Sequence, residues 1–278
     1  MKISYHAWKD FMECPKKFRL QHVERAAPTV PVNEYFTLYG KLIEKFFQIY
    51  CNLWRFKTPY LYPEVIKERL ERLWLGIDLS SVVNWSAPFV TKTKDQIFEE
   101  VFKDICAIME SETLNYFLNS QSELTIQLTL ANSNILSGRL DFVHNNLDKS
   151  ILIFDGKGAG TKGKNVSPEQ LYFYALLYYL HFKRMPDQLG FFYYKFNCFE
   201  PIAFDLDTLN EFRTKVSLGV KAIVSGAVQD PTPSAKACKY CRYLNGCVEG
   251  TLSKTSRMRK SKLTGIEENG GIVEFGLD

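Results

Sequence analysis

The strongest constraint on how this chain can fold is a change of period at Glu123. Leu124, Ile126, Leu128 and Leu130 alternate with Thr125, Gln127 and Thr129, the two-residue repeat of a half-buried strand. Before that point the apolar residues recur at helical spacing. Trp8, Phe11, Met12, Phe18 and Leu20 anchor a helix over 4–20, in which Pro15 should disturb the middle or begin a second turn of helix. A second helix runs from about Glu34 through Gly40, Ile43, Phe46, Phe47 and Tyr50, and 63–75 and 95–110 read as two more. Beyond the first strand, 131–134 predicts a turn. Ile135 to Val143 and Ser150 to Asp155 predict two further strands, joined by the polar hairpin Asn145-Asn146-Leu147-Asp148. A Gly/Lys-rich loop fills 158–165, and Pro168 and Glu169 open a helix that reaches about Phe182. Leu189 to Phe196 reads as an aromatic strand with 199–204 as its partner, and Thr208 to Gly226 as a last helix before Pro231 and Pro233. That order predicts an α/β fold with one central mixed β-sheet flanked by helices.

Composition bounds the chemistry. With 46% hydrophobic and 24% charged residues over 278 positions, the chain can bury a core, which excludes global disorder. No stretch reaches the roughly 18 apolar residues of a membrane helix, so no membrane partner is expected. Met1 to His6 has no apolar leader and the seven cysteines are odd in number, which argues against a disulfide framework and for a reducing setting, cytoplasmic, nucleoid-associated or, for a viral chain, the host cytoplasm. The formal charge of +4 sits largely in Lys254, Arg257, Arg259, Lys260 and Lys262. Attraction to phosphate must therefore come from local patches.

Two strand ends carry the chemistry. Gly138-Arg139-Leu140-Asp141 closes one strand and Asp155-Gly156-Lys157 closes the next, so hairpin neighbours bring both carboxylates to one edge of the sheet. Two hard oxygen donors side by side repel, and Mg²⁺ or Mn²⁺ would relieve that, with the Gly156 carbonyl as a further ligand. Lys157, two residues past Asp155, points to the same side, where its ammonium can neutralise charge on phosphate oxygens or orient or deprotonate water. An Asp-Gly pair at a strand end is also ordinary turn chemistry. On the following helix Gln170 and Tyr174 share a face; Tyr174 reads equally as a core aromatic.

Cys238-x2-Cys241-x5-Cys247 gathers three thiols, and Cys14, in a helix-breaking Cys-Pro pair, is the natural fourth. Four thiolates suit tetrahedral Zn²⁺ or a 4Fe-4S cluster, and spacing does not separate them. Lys41, Lys45, Lys162 and Lys164 can follow a phosphate backbone or stand as ordinary solvated surface lysines, and Tyr193, Tyr194 and Tyr243 can stack on bases or simply pack.

These residues resemble the RecB-like branch of the PD-(D/E)XK nuclease superfamily. Gly138-Arg139-Leu140-Asp141 matches its second motif, Asp155-Gly156-Lys157 its third, Gln170-Leu171-Tyr172-Phe173-Tyr174 its Q-x-x-x-Y motif, and Ser4-Tyr5 leading to Phe11 to Phe18 its opening pattern. The resemblance implies a restriction-endonuclease-like core over 1–264: a mainly helical 1–120, a catalytic sheet and helix over 121–206, and a helix and cysteine segment over 207–250. Residues 265–278 would form a tail or short strand. It also implies a metal-dependent DNA exonuclease or end-processing enzyme, acting on single strands or duplex ends in recombination, repair or replication. Cys14, Cys238, Cys241 and Cys247 would hold an iron-sulfur staple joining the N-terminal and C-terminal segments, with structural Zn²⁺ the alternative. The family's G-x-x-x-H is here Gly40-Lys41-Leu42-Ile43-Glu44, so Glu44 would replace the histidine ligand. No G-x-x-x-x-G-K-[ST] occurs, so a helicase would have to be a partner. A non-catalytic DNA-binding or complex-forming subunit with this fold is the alternative function.

Overall fold

The computed structural model describes residues 1–29, 35–54, 61–77, 90–130, 133–146, 148–158, 166–226, 231–234, 237–238 and 241–250. The chain divides into two compact units, one of Met1–Tyr5 with Asn33–Leu218, the other of His6–Val32 with Gly219–Asp278.

The first unit is built on a six-stranded mixed sheet. Its strands are β1 (Lys2–Ile3), β2 (Ser120–Thr129), β3 (Ile135–Asn145), β4 (Ile151–Lys157), β5 (Gln188–Tyr193) and β6 (Cys198–Ile202). The order is β1-β3-β4-β5-β6, with β2 also paired to β3. β2, β3 and β4 form an antiparallel meander, as the alternation and the polar hairpin predict. β4 and β5 run parallel, which requires a crossover. The helix Glu169–Phe182 supplies it. β1, parallel to the start of β3, is two residues long and leaves no periodicity to read.

Eight α-helices complete the described elements: α1 (Tyr5–Glu13), α2 (Pro15–Phe18), α3 (Tyr35–Trp54), α4 (Pro63–Leu75), α5 (Lys94–Met109), α6 (Asn115–Leu118), α7 (Glu169–Phe182) and α8 (Leu206–Ser225). Pro15 acts as anticipated. It begins α2 at its first position, and Cys14 before it is extended, at φ −165 and ψ 109. A π-helical turn over Arg19–Val23 follows. α5 starts with a capping box: the Gln96 amide donates to the Thr93 hydroxyl and the Thr93 amide to the Gln96 side chain. The expected strand over 189–196 ends early, because Tyr194–Phe196 turns into a 3₁₀ helix.

One face of the sheet packs against α3 to α6 around a column of aromatic rings. Phe117, on the single turn of α6, is fully buried. Its ring stacks on Phe47 at 4.2 Å and meets Phe192, Phe142 and Phe154 edge-on at 4.9, 5.3 and 5.6 Å. These offset and edge-to-face arrangements suit the ring quadrupoles. The column absorbs much of the chain's aromatic excess. α7 covers the opposite face, where Gly138 gives it room: a Cβ there would lie 2.5 Å from Leu177 Cδ1.

In the second unit, the N-terminal and C-terminal segments are tied by polar contacts. The Thr29 amide donates to the Arg242 carbonyl at 2.9 Å, the Thr232 hydroxyl to the Glu13 carbonyl at 2.9 Å, and Lys16 pairs with Glu249 at 3.1 Å. No helix of the described residues is long and apolar enough to cross a membrane.

Candidate active site

The β3/β4 ladder stops at Phe142↔Phe154. In the same register the next residues are Asp141 and Asp155, so the two acids face each other where the strands part. β4 meanwhile stays paired to β5 through Lys157↔Tyr193, which holds Asp155 and Lys157 on a fixed backbone. Leu152 and Phe154 belong to the aromatic core, so strand alternation puts Asp155 and Lys157 together on the other face. The Lys157 ammonium pairs with Asp155 Oδ2 and lies 5.3 Å from the centre of the Phe191 ring. Asp155 itself is 2% exposed.

α3 delivers the third acid by a close backbone approach. A Cβ on Gly158 would fall 2.6 Å from Gly40 Cα, so α3 can cross the end of β4 only with glycine at this contact. Glu44, one turn on, is thereby brought within the field of Asp155 and Lys157. Gln48 Nε2 donates to Glu44 Oε1 at 2.7 Å. Sequence reading missed Gln48, although its place four residues after Glu44 on one helix was a usable signal.

Burial and then the charge of Asp155 push the Glu44 carboxyl up to about 7, with Lys157 and Arg139 pulling against them. Burial, followed by the charge of and hydrogen bond to Asp155, raises Asp141 well above the usual carboxylate range. For Glu44 the folded value lies above the ordinary 4.5, so the folded chain holds that proton more tightly. The resulting stability is fully present below about 4.5 and is lost as pH rises through about 7, by on the order of 3 kcal/mol. Urea unfolding at the two ends of this window is expected to show a smaller pH-dependent loss for Glu44→Gln than for the native chain; equal losses would contradict the coupling.

On α7, Gln170 Nε2 donates to the Tyr174 hydroxyl at 3.0 Å. Tyr174 is buried, and its phenol is raised by burial and by the charge of Asp141. The Tyr174 phenol lies within the electrostatic reach of Asp141, Asp155 and Glu44. Lys41 and Lys45 are exposed on α3. Lys162 and Lys164 lie outside the described residues, as do the basic run 254–262 and the tail 265–278. Tyr193, Tyr194 and Tyr243 are all buried, which removes them as base-stacking candidates.

The metal and cluster expectations require correction. Among the described residues no group of three or more His, Cys, Asp or Glu is placed to hold a metal ion. That withdraws Mg²⁺ or Mn²⁺ at Glu44, Asp141, Asp155 and Gly156. It equally withdraws the 4Fe-4S staple and its Zn²⁺ alternative at Cys14, Cys238, Cys241 and Cys247. The donors are already engaged. Asp155 pairs with Lys157, Asp141 hydrogen-bonds Asp155, and Glu44 accepts from Gln48. The four thiols do line one small cavity of about 20 Å³ in the second unit. However, Cys247 Sγ donates to Glu249 Oε2 at 3.4 Å, and burial raises the Cys241 thiol. Hydrogen bonds and the Lys16–Glu249 ion pair are the described contacts that join the two terminal segments.

A mixed sheet whose parted strand ends gather two aspartates and a lysine, with a glutamate from a crossing helix, is an α/β fold of the kind nucleases use. The model of the PD-(D/E)XK nuclease superfamily matches residues 2–248, and the chain belongs to that superfamily. A crystal structure described as "Putative exonuclease" from Eubacterium rectale shares the fold, with a TM-score of 0.54 at 13% identity over 87% of each chain. The structure of SSO0001 aligns at 16% identity over 75% of this chain and 95% of its own, with a TM-score of 0.36. No curated protein matches the chain.

Proposed function

We propose that the chain is a deoxyribonuclease of the RecB-like branch that hydrolyses phosphodiester bonds at DNA ends, as an exonuclease or end-processing enzyme. The observation that carries this reading is the Lys157 ammonium on buried Asp155, at the point where β3 and β4 separate. In that place the ammonium can stabilise the charge that develops on the phosphoryl oxygens, in partly buried surroundings that strengthen the interaction. Glu44, with its carboxyl near 7, is poised to take a proton from an attacking water at neutral pH. Asp141 and Asp155, sharing a hydrogen bond, orient that water. Gln170 and Tyr174 fix the acids from behind.

Lys41, Lys45, Lys162 and Lys164 would guide the DNA backbone, single-stranded or at a duplex end. A role in recombination, repair or replication beside a helicase partner fits a chain without a nucleotide-binding motif of its own. None of the seven cysteines is joined in a disulfide, which is consistent with action in a reducing compartment such as the cytoplasm.

Digestion of end-labelled single-stranded and duplex DNA over a panel of ionic conditions tests the reading. Mononucleotides or short products released from the ends by the native chain, and lost at least a hundredfold in Asp155→Ala, are expected. Equal cleavage by the two proteins would remove Asp155 from the chemistry, and the absence of any cleavage by the native chain would refute the nuclease.

A further inference from the structure

The β2/β3 ladder pairs Ser122 with Phe142 and Leu124 with Leu140 but skips the residues between. On β3 the skipped residue is Asp141. On β2 it is Glu123, whose φ of +54 is a left-handed conformation that a glutamate in mid-strand rarely adopts. The distortion has a visible outcome. Glu123 Oε2 lies 3.2 Å from Lys45 Nζ on α3, and Glu123 Oε1 lies 3.1 Å from Arg139 Nη1 on β3. Each oxygen of one carboxylate thus holds one cation, and the cations come from different elements. Their side chains are 49% and 61% exposed, against 28% for Glu123. Both Arg139 and Glu123 lie close enough to Glu44 to act on its charge, so the trio borders the acidic centre.

An anion with two oxygens, gripped by two solvent-facing cations beside the reacting groups, has the geometry of a phosphodiester and its two non-bridging oxygens. We propose that Lys45 and Arg139 form a binding subsite for a backbone phosphate next to the scissile one, and that Glu123 occupies it in the free protein as a displaceable internal anion. This rests on the nuclease reading above. Ion pairs this exposed are weak and easily exchanged, so an incoming strand can take over both cations while the Glu123 carboxylate swings to solvent. The resident carboxylate also opposes any ligand that does not engage both cations at once. It therefore weakens loose, non-productive attachment and favours a strand lying across β3 and α3 together.

Equilibrium binding of a fluorescent phosphorothioate oligonucleotide, single-stranded and as a duplex, tests the subsite without cleavage. Glu123→Gln is expected to tighten binding about three- to tenfold at low salt and to steepen the dependence of log K on log salt by roughly one. The Lys45→Ala/Arg139→Ala pair is expected to loosen binding about tenfold, and in that background Glu123→Gln should change nothing. Glu68→Gln, which frees Arg72 on an exposed turn of α4 outside the Glu123 trio, should leave affinity unaltered. Glu123→Gly suits the positive φ and supplies a second variant if the glutamine form folds poorly. A gain that survives loss of both cations, or that Glu68→Gln reproduces, would show a general field effect and overturn the subsite. Unchanged binding in Glu123→Gln and Glu123→Gly, by a native protein that does cleave DNA, overturns the subsite alone. A native protein that neither binds nor cleaves DNA overturns both the subsite and the nuclease reading.

Discussion

Lys157→Met is expected to lower DNA cleavage a hundredfold or more while weakening DNA binding only slightly. The methionine keeps the aliphatic stem against Phe191 and removes the one charge held on Asp155 Oδ2. If the ammonium acts on charge that develops during the reaction, its loss appears in kcat far more than in KM, on the scale of deleting one oxyanion donor. A second signature accompanies the first. Asp155 is 2% exposed, and without Lys157 its buried carboxylate faces Asp141 with no cation on it. Unfolding free energy at neutral pH is expected to fall by about 2 kcal/mol or more, and the deficit should narrow in mild acid as the neighbouring carboxyls take up protons. Lys157→Arg, which restores charge with a different shape, should recover stability better than rate. Native cleavage rates in Lys157→Met would remove the lysine from the mechanism.

Phe117→Ala is expected to be the most destabilising single substitution in the aromatic column, at about 3–5 kcal/mol by urea unfolding. Its ring touches Phe47, Phe142, Phe154 and Phe192, contributed by α3, β3, β4 and β5. Removing it empties a space that no single element can close. Leu75→Ala at the exposed end of α4, where the side chain is 85% exposed, should cost less than about 0.5 kcal/mol. Comparable losses in the two variants would mean that the column does not carry the core. α3 brings Glu44 as well as Phe47, so partial loosening of the column should also reduce cleavage before it unfolds the chain.

Phe117 shows where sequence reading fell short. α6 is four residues long, preceded by a 3₁₀ turn, and so short a segment carries no periodicity from which to infer a helix. Yet it supplies the ring at the centre of the core. β1 was hidden for the same reason. The longer elements were legible because their signals are local: two-residue alternation in β2, the Pro168-Glu169 start of α7, and the polar hairpin that sets the β3/β4 register. From that register the meeting of Asp141 with Asp155 follows directly, and with it the centre of the candidate site. Tyr194 was visible only as an aromatic residue near the end of a strand. In the fold its ring fills the space beneath Gly156, where a Cβ would lie 2.1 Å from the tyrosine hydroxyl. That explains the glycine between Asp155 and Lys157 as a packing necessity.

The cysteines mark the opposite failure. Their spacing is local and suggestive, and all four reach one small cavity. Coordination, however, depends on directions and protonation that the spacing does not contain: the Cys247 thiol is turned to Glu249, and among the described residues no group is placed to hold a metal ion. Glu123 carried no signal at all, since its role depends on a backbone angle and on partners from two other elements.

By itself, the order of residues determined which strands alternate, where helices begin, and that an aspartate, a glycine and a lysine end one strand opposite the aspartate of another. Those are properties of neighbours along the chain, set by side-chain chemistry and backbone period. Only the tertiary structure decided what the groups experience: the proton affinity of Glu44, the ion pair of Lys157, the locking of Gln170 to Tyr174, and the exchange of a metal-centred picture for one of mutually engaged donors. Electrostatic and packing energies depend on distances between residues far apart in the chain, and the fold alone sets those distances.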